Sequence, residues 1–507
     1  MAGEWNVKTV VREFFGVFRE LPDRASGTYP EQKTASMLRG FCPALFDVDV
    51  KFMPFAVDLS SGSWNVCLHS YMFFLSSAGI FVLGKIMLAY TSFPSPWQTV
   101  TFSFLGEAPA FFTIISIFFC GGIVASRILS TYTGWSFFSF FIPNAESGNV
   151  ICSTRKEKEP AARKLVILTA HYDSGRCLPS VGGKNVGSSL LAKIVKNGLS
   201  LGPMLAACLI TFTLFVHLVF GLRGAFSVIL VILSLLSVIF ILVETVISNI
   251  SANMPFNPGY NDNLSGAAVL AGCMETICPS PVKAHWTVTD ALKDNLSGVE
   301  RKSTAFSNTD FEFVFTGSEE NGLMGAVEYR KKVLKQHLDA YGKDNVYIVN
   351  LDSISGKYIK FFNREKDFAG MNRGGNDKFI EKAETFINGK NFSEVELLKY
   401  FSPEEIERYF TKDNSSYKMN LIRSVTPIQA CTDMSSLVYL FDKTLNIITL
   451  VSRETNDKDD IGMPRDYHSL TDTYEKMVEE DNGYNLTPVI FTVFAINNLL
   501  KYLDEMN

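Results

Sequence analysis

The 507-residue sequence has only six histidines, no clustered cysteines and no excess of basic charge. The net charge is -5, so the chain lacks the basic footprint that nucleic-acid binding requires, and we expect no nucleic-acid partner. The nine cysteines are odd in number and scattered, which excludes a disulfide framework and a CxxC metal site. They read as reduced structural thiols, which favours a cytosolic face for the folded part. The first residues, MAGEWNVKTVVREFFGVF, lack an apolar core long enough for a cleaved signal peptide.

Apolar residues are abundant but unevenly distributed. They make up 47% of the chain, with 42 phenylalanines. Four runs are long enough to cross a bilayer, which needs roughly 20 apolar residues. Buried helices of a soluble core rarely run this long without a charged face, so we interpret the runs as membrane spans. They are Val66–Tyr90, Ala108–Ile128, Leu201–Phe220 and Ala225–Ile250.

The four runs form two hairpins, which predicts a multi-pass integral membrane protein in contact with the lipid bilayer. An even number of crossings at each insertion returns the chain to its starting side. The loop within the first hairpin carries no lysine or arginine, and the loop within the second carries only Arg223, whereas Lys51, Arg127 and Lys184 flank the opposite ends. The positive-inside rule therefore predicts a cytoplasmic folded domain. We expect that domain to comprise residues 1–65, 129–200 and 251–507, with hairpins at 66–128 and 201–250.

The remaining sequence has an α/β pattern. Short, almost continuously apolar runs rich in β-branched residues are typical of strands buried on both faces of a sheet. Helical stretches lie between them, so we expect a mixed, largely parallel central sheet flanked by helices. Leu486–Leu503 is interrupted by polar residues and is interpreted as a core-facing helix, whereas Ala284–Arg301 and Asn363–Asn414 are interpreted as polar surface insertions. The predicted strands are Lys164–Ala170, Phe311–Thr316, Val346–Leu351 and Asn446–Val451, and the predicted helices include Gly266–Ile277 and Met324–Leu338.

Acidic and imidazole side chains follow three of the predicted strands. In open α/β sheets, ligands bind just beyond the carboxyl ends of strands. A single histidine there is more often a surface residue, and an aspartate before a helix is usually an N-cap. Here, however, two of the six histidines occur together with several carboxylates, which is the nitrogen and oxygen mixture that zinc accepts. The residues concerned are His171, Asp173, Asp262, Glu319, Glu320, Asp352 and His468.

Five sequence blocks carry these residues in a distinctive order. They are HYDSG, NDNLSGAAVL, TGSEENGLMGA, LDSIS and YHSLTDT. The blocks resemble those of the co-catalytic zinc peptidase family that includes bacterial leucyl aminopeptidases and glutamate carboxypeptidases. A fainter upstream match, Arg24–Thr28 followed by Glu31 and Ala35, resembles the N-terminal helix of that family. Together the blocks frame nearly all of the sequence outside the apolar runs.

The resemblance implies a site with two zinc ions and a peptide substrate. It implies that His171 and Asp352 bind one ion, that Glu320 and His468 bind the other, and that Asp262 bridges them. It also implies that Glu319 is the general base and that Asp173 accepts the second ring N–H of His171. The function expected on this basis is an aminopeptidase-type exopeptidase.

The sequence departs from the family pattern at three places. The whole second hairpin separates His171 from Asp262, so the membrane part is expected to be an insertion in the catalytic domain. Tyr260 replaces a small residue before NDN, and we expect it to narrow the approach to the bridging carboxylate. Thr432–Ser436 stands where relatives have SDH followed by two apolar residues, which affects the substrate pocket but no metal ligand.

Three alternative functions are compatible with parts of the pattern. A glutaminyl-cyclase-like acyltransferase shares an HYDS block, but such relatives use one zinc ion and lack this ligand set. A membrane receptor or scaffold with a peptidase-like fold would normally have lost ligands or the base. A transporter is disfavoured because the apolar runs carry few charges and no broken-helix signature.

Overall fold

A computed structural model gives the architecture of the residues described below. By internal contacts the chain divides into two compact units, one of Met1–Val57, Asn144–Cys177 and Pro255–Asn507, the other of Asp58–Pro143 and Leu178–Met254. The predicted domain boundaries stay a prediction. The described residues are 7–21, 23–58, 144–155, 163–177, 253–280, 306–366, 372–424, 432–438, 443–454, 466–479 and 486–505, with isolated positions between 122 and 250 and at 464.

The four predicted membrane runs lie outside these described residues, apart from isolated positions. Within the described part of the chain, one helix, Leu486–Glu505, is long and apolar enough to cross a membrane. Its most apolar window is 78% buried inside the protein, as expected for a core helix. The prediction of a core-facing helix at this place is confirmed.

The strands and helices alternate through the first unit. The strands are β1 (Asp49–Asp58), β2 (Asn144–Ser153), β3 (Lys164–His171), β4 (Ser180–Val181), β5 (Lys184–Asn185), β6 (Thr309–Thr316), β7 (Val346–Asp352), β8 (Tyr358–Phe362), β9 (Arg364–Lys366), β10 (Asn372–Gly374), β11 (Phe410–Asp413), β12 (Ser416–Met419), β13 (Ile422–Arg423) and β14 (Asn446–Arg453), of which β4 and β5 belong to the second unit. The helices are α1 (Val7–Val17), α2 (Tyr29–Leu45), α3 (Ser265–Ile277), α4 (Met324–Tyr329), α5 (Lys335–Tyr341), α6 (Asp377–Gly389), α7 (Glu394–Leu397), α8 (Pro403–Tyr409), α9 (Asp433–Leu437) and α10 (Leu486–Glu505).

Eight strands form one sheet in the order β1-β2-β6-β3-β7-β14-β8-β13. The four central strands β6, β3, β7 and β14 are parallel, and β2 and β8 pair with them in the antiparallel sense. All eight residues of β3 and all eight of β14 are buried, which explains their continuous apolar sequence. The predicted mixed, largely parallel sheet flanked by helices is therefore confirmed.

Helices cover both faces of the sheet. On one face α3 packs against α1 and α10, which also contact each other, and every residue of α3 except Thr276 is buried. A Cβ atom at Gly272 would lie 2.6 Å from Val493 Cγ2, so the glycine allows α3 and α10 to approach closely. On the other face, residues of α4, α5 and α9 pack with β3, β7 and β14.

The described cysteines are free thiols. All five are buried, and none forms a disulfide with another described residue. This agrees with the prediction of reduced structural thiols for the part of the chain that the structure describes. They are Cys42, Cys152, Cys177, Cys273 and Cys278.

The prediction for Asn363–Asn414 is wrong, because this segment is not a surface insertion. It contains β9 to β11 and α6 to α8, and it buries Phe379, Ile380, Phe401 and Phe410. Phe401 and Phe410 pack edge-to-face on aromatic rings of α10. The apolar residues of the segment are dispersed among charges at helical spacing, so average polarity hides a stripe that faces the core. Ala284–Arg301 lies outside the described residues.

Candidate metal centre

The carboxyl ends of the parallel strands bring the predicted side chains to one edge of the sheet. β3 ends at His171, which is paired in register with Thr316, the last residue of β6. Gly317–Glu320 follow directly, and Asp352 ends the neighbouring strand β7. Since parallel strands point the same way, the ends of three strands meet at this edge.

The carboxylate of Asp262 lies between two imidazoles. Its Oδ1 is 3.3 Å from His171 Nε2, and its Oδ2 is 3.3 Å from His468 Nε2. Asp262 is buried in a wide turn, Tyr260–Leu264, that opens α3, and the Asp262–Asn263 peptide bond is cis. The two histidines come from positions far apart in the sequence, and this carboxylate joins them.

The other predicted ligands lie around this centre. Glu320 Oε1 is 2.9 Å from His468 Nε2, and Asp352 Oδ1 is 3.9 Å from His171 Nε2. Ligand atoms of His171, Asp262 and Glu320 all lie within 4.8 Å of one another. Glu319, the proposed base, is buried with its Oε2 3.9 Å from His171 Nε2. We refer to these six side chains as the strand-end cluster: His171, Asp262, Glu319, Glu320, Asp352 and His468.

The pKa values in the strand-end cluster are shifted by burial and by the closely spaced carboxylates. Burial and neighbouring carboxylates raise the pKa of Glu319 well above its usual range, and burial with the charge of Asp262 raises that of Glu320. Burial opposes a charged imidazole at His468, yet the Glu320 charge and the Asp262 contact raise its pKa to about 10. Burial also opposes ionisation of Asp262, but its contacts with the two imidazoles hold its pKa below the usual range. The raised pKa values thus reflect carboxylates that outnumber the cationic side chains paired with them among the described residues.

The donor set fits a divalent cation. Asp262 Oδ2 is buried, and its only contact of this kind among the described residues is with His468 Nε2 at 3.3 Å, without hydrogen-bond geometry, which is costly unless another group satisfies the oxygen. No lysine or arginine within the described ranges forms an ion pair with any of the four carboxylates. Imidazole nitrogen and carboxylate oxygen are zinc ligands, and a bound cation would neutralise the charge that raises these pKa values.

Asp173 contacts more groups than predicted. His171 Nδ1 lies 3.2 Å from the backbone oxygen of Asp173 and 3.5 Å from its carboxylate Oδ1. The carboxylate also accepts hydrogen bonds from the backbone N–H groups of Glu319 at 3.0 Å and Glu320 at 3.1 Å. It therefore orients the loop that carries both glutamates as well as contacting the imidazole ring.

Asp472 was not singled out from the sequence, although it lies in the quoted block YHSLTDT. It is buried, and its carboxylate accepts hydrogen bonds from the backbone N–H groups of Asn261 at 2.6 Å and Asp262 at 3.2 Å. These bonds fix the turn that carries the central carboxylate. An aspartate three residues before Glu475 in a polar stretch gives no signal of this contact in the sequence alone.

The two asparagines of NDN connect the Asp262 turn to the end of β7. Asn263 donates from Nδ2 to the backbone oxygen of Leu351 at 2.8 Å, and its Oδ1 accepts from Ser353 N at 3.1 Å. Asn261 Oδ1 accepts from Ser355 N at 3.0 Å. The asparagines therefore hold Asp262 and the β7 end together.

Tyr260 does not narrow the approach to Asp262 as predicted. Its ring is buried against Tyr474, with ring centroids 5.9 Å apart, and its hydroxyl donates to the backbone oxygen of Phe18 at 3.0 Å. The large side chain fills a space between the site turn and α1, where an aromatic ring buries more apolar area than a small residue.

The Thr432–Ser436 segment lies close to the site. Asp433 is buried at the start of α9 and accepts a hydrogen bond from the hydroxyl of Thr316, the residue paired with His171. Its other oxygen, Oδ1, is buried without a hydrogen-bond partner. Burial raises the pKa of Asp433 to about 7.

A comparison with models of protein families gives one match. The model of peptidase family M28 matches residues 251–487. This matched segment, just under half of the chain, is therefore similar in sequence to peptidase family M28. The match includes Asp262, Glu319, Glu320, Asp352 and His468. It confirms the predicted family and, at the level of that family, the predicted class of zinc-dependent peptidase.

Solved structures with similar folds include peptidases and one cyclase. An aminopeptidase from Aneurinibacillus sp. strain AM-1 is 11% identical, with 69% of this chain and 48% of that chain covered and a TM-score of 0.29. The zinc aminopeptidase of Bacillus subtilis is 14% identical, with 69% and 51% covered and a TM-score of 0.29. The glutaminyl cyclase of Bacteroides thetaiotaomicron is 9% identical, with 100% of both chains covered and a TM-score of 0.40.

This chain spans about half the length of the two aminopeptidases. All three TM-scores are below 0.5, so the family assignment rests on the sequence match. Comparison with curated protein sequences found no match.

Proposed function

We propose that this M28 domain is a membrane-embedded aminopeptidase-type exopeptidase that uses two zinc ions. One observation carries the proposal: the buried carboxylate of Asp262 lies 3.3 Å from each of two imidazoles and has an oxygen without a hydrogen-bond partner. A carboxylate with one oxygen directed to each side is suited to bridge two cations.

The surrounding side chains divide into two ligand sets about that bridge. His171 and Asp352 lie on the Oδ1 side and would bind one ion, and His468 and Glu320 lie on the Oδ2 side and would bind the other. Zinc bound here supplies Lewis acidity, which lowers the pKa of water and polarises a carbonyl group.

Glu319 is proposed as the general base. It is buried beside Glu320, and Asp173 fixes the backbone of both residues. A glutamate that does not bind metal can accept the proton of the attacking water and return it to the leaving amine.

Two features of the sequence support the aminopeptidase type and the membrane location. The five blocks resemble those of leucyl aminopeptidases, and the four apolar runs favour two transmembrane hairpins with a cytoplasmic catalytic domain. Labelling of single cysteines placed at residues 94 and 223, in intact and in permeabilised cells, tests the topology. Labelling of both positions only from the cytoplasmic side would contradict it.

Glu319→Gln is the experiment that tests the catalytic proposal. In the purified full-length protein we expect two zinc ions to be retained while kcat falls about 100- to 10,000-fold, the usual contribution of general acid–base catalysis. The substrates are peptides with a free N-terminus, a blocked N-terminus and a blocked C-terminus. Glu328→Gln, on the outer side of α4, is the matched control and should keep normal activity.

Each contrary outcome removes a particular part of the proposal. Normal turnover by Glu319→Gln would remove this residue as the base. Cleavage of N-blocked peptides as fast as free ones would exclude an aminopeptidase. Cyclisation of N-terminal glutamine without peptide cleavage would favour the cyclase-like alternative, and wild-type protein without bound zinc would favour the scaffold.

A further inference from the structure

Arg24 is fully buried, and its guanidinium donates hydrogen bonds to backbone carbonyl groups of two separate loops. Its Nε donates to the backbone oxygen of Tyr172 at 2.8 Å. Its Nη1 donates to Pro258 O at 2.8 Å, and its Nη2 donates to Gly259 O at 2.7 Å. The rigid planar fork of arginine can serve several fixed acceptors at once, which the single ammonium of lysine cannot do.

The two loops that Arg24 joins both carry proposed ligands. Tyr172 follows His171 directly, and Gly259 begins the turn in which Asp262 lies. Gly259 has a positive φ of 66°, and a Cβ atom there would lie 2.7 Å from Arg24 Nη2, so the loop backbone fits closely around the guanidinium. The backbone of Arg24 is also paired with Ser174, whose hydroxyl accepts from Arg24 N at 2.9 Å.

The residues that follow Arg24 reach the third ligand loop. Ser26 donates from its hydroxyl to Asp173 Oδ2 at 2.8 Å, the carboxylate that also binds the backbone N–H groups of Glu319 and Glu320. Glu31 is buried, and its Oε1 accepts from Ser318 N at 3.0 Å. Residues 24 to 31 thus contact the loops at the ends of β3 and β6 and the turn before α3.

We propose that Arg24–Glu31 is a positioning segment that preorganises the zinc ligands. It lies far outside the matched family region, residues 251–487, yet it holds three ligand-bearing loops in one arrangement. None of its residues touches a reacting atom, so its effect is exerted through His171, Asp262 and Glu319–Glu320. The inference rests on the proposed zinc site.

The expected effect is on metal affinity and ligand geometry. Groups that orient metal ligands without binding the metal typically contribute about 10- to 100-fold to affinity or activity. Arg24→Lys keeps the charge but leaves buried carbonyls without donors, so it should lower zinc affinity by about this factor. Ser26→Ala removes one hydrogen bond to Asp173 and should lower affinity about 10-fold or less.

The test uses full-length protein and the metal ions alone. Zinc affinity is measured by competition with a chromophoric chelator, and the visible spectrum of the Co²⁺ form reports ligand geometry. Both are measured well below the unfolding temperature of each metal-free variant, where global unfolding does not affect binding. Arg423→Lys, an arginine paired with Glu384 at the sheet edge, and Ser416→Ala, on β12, are matched controls.

The results separate this inference from the proposed function. Weaker zinc binding and an altered Co²⁺ spectrum in Arg24→Lys and Ser26→Ala, with both controls unchanged, support the positioning role. Wild-type affinity and spectrum in the two variants overturn it while leaving the peptidase intact. If Arg24→Lys does not fold, Ser26→Ala decides. Failure of the wild-type protein to bind zinc overturns both.

Discussion

Among the described residues of the first unit, histidines lie beside buried carboxylates in two regions, the strand-end cluster and a second group at the middle of β6. In the second group, which we call the Glu312 cluster, Tyr329 donates its hydroxyl to Glu312 Oε1, and His337 Nε2 lies 3.1 Å from Glu312 Oε2. Each oxygen of Glu312 therefore has a partner. In the strand-end cluster four carboxylates face two imidazoles, and Asp262 Oδ2 has no hydrogen-bond partner.

The difference shows why the same residue types serve different purposes. A buried carboxylate whose oxygens are all satisfied stabilises a fold and needs no cation. A group of carboxylates that exceeds its donors is electrostatically incomplete, and a divalent cation completes it. Position reinforces the contrast, because Glu312 lies within a strand, whereas four of the six residues of the strand-end cluster lie at or just beyond the ends of strands, namely His171, Glu319, Glu320 and Asp352.

The largest predicted difference between the two clusters is the effect on zinc affinity of removing the carboxylate of Asp262 or that of Glu312. Zinc sites with four ligands bind with about 10–16 kcal/mol, or roughly 2.5–4 kcal/mol per ligand, so Asp262→Ala should weaken zinc binding about 100- to 1,000-fold. Glu312→Ala, the matched loss of a carboxylate beside histidine, should leave zinc affinity unchanged. Elemental analysis and chelator competition on both variants give the answer. Equal zinc content in wild type and Asp262→Ala would remove Asp262 from the ligand set.

Removal of zinc should destabilise the unit through the strand-end cluster alone. A ligand at about 100 times its Kd stabilises the folded state by about 3 kcal/mol. We expect a chelator to lower the free energy of unfolding by about this amount in wild-type protein and in Glu312→Ala. The decrement should vanish in Asp262→Ala. Chemical denaturation with and without chelator measures it, and an equal decrement in all three proteins would contradict a site centred on Asp262.

Tyr329→Phe tests how much the Glu312 cluster contributes to stability. It leaves Glu312 Oε1 buried without its hydroxyl donor, which should cost about 1–3 kcal/mol of stability. Zinc affinity should not change. Tyr358→Phe, on β8, is the control and should cost less than about 0.5 kcal/mol. Denaturation of the metal-free proteins measures both costs, and a change in zinc affinity for Tyr329→Phe would show that the two clusters are coupled.

The ends of the central strands could be predicted because they depend on the local sequence. Each of these strands is a continuous apolar run, so its end is visible in the sequence, and parallel strands place their ends together. His171, Glu319, Glu320 and Asp352 follow from that logic. Asp262 and His468 required the order of the blocks as well, because neither follows a strand.

The support for these ligands could not be predicted, because it depends on contacts between distant segments. Arg24 binds carbonyl oxygens of residues 172, 258 and 259, and any backbone carbonyl has the same chemistry whatever its side chain. Asp472 likewise binds backbone N–H groups. Tyr260 was misjudged for a related reason: the direction of its ring depends on α1 and Tyr474, which lie far away in sequence.

A third buried carboxylate, Glu365, extends the comparison to the pH dependence of stability. Glu365 is completely buried in β9, and its oxygens accept hydrogen bonds from the hydroxyls of Ser435 and Thr432, which carry no positive charge. Burial raises the pKa of Glu365 to about 8 from an ordinary value of 4.5. The folded protein therefore holds a proton at pH values where the unfolded chain has released it.

This proton makes stability depend on pH in a defined direction. The contribution of Glu365 is fully present below about pH 4.5 and is lost as the pH rises to about 8, with a slope of at most about 1.4 kcal/mol per pH unit. Glu365→Gln has no proton to lose, so its stability relative to wild type should rise across this window. Denaturation of metal-free protein at several pH values tests it, with Glu407→Gln on the exposed side of α8 as the control. Parallel curves of stability against pH for wild type and Glu365→Gln would show that Glu365 stays ionised in the folded protein without a cationic partner. The lack of a cationic partner would then not by itself distinguish the strand-end cluster from other buried carboxylates.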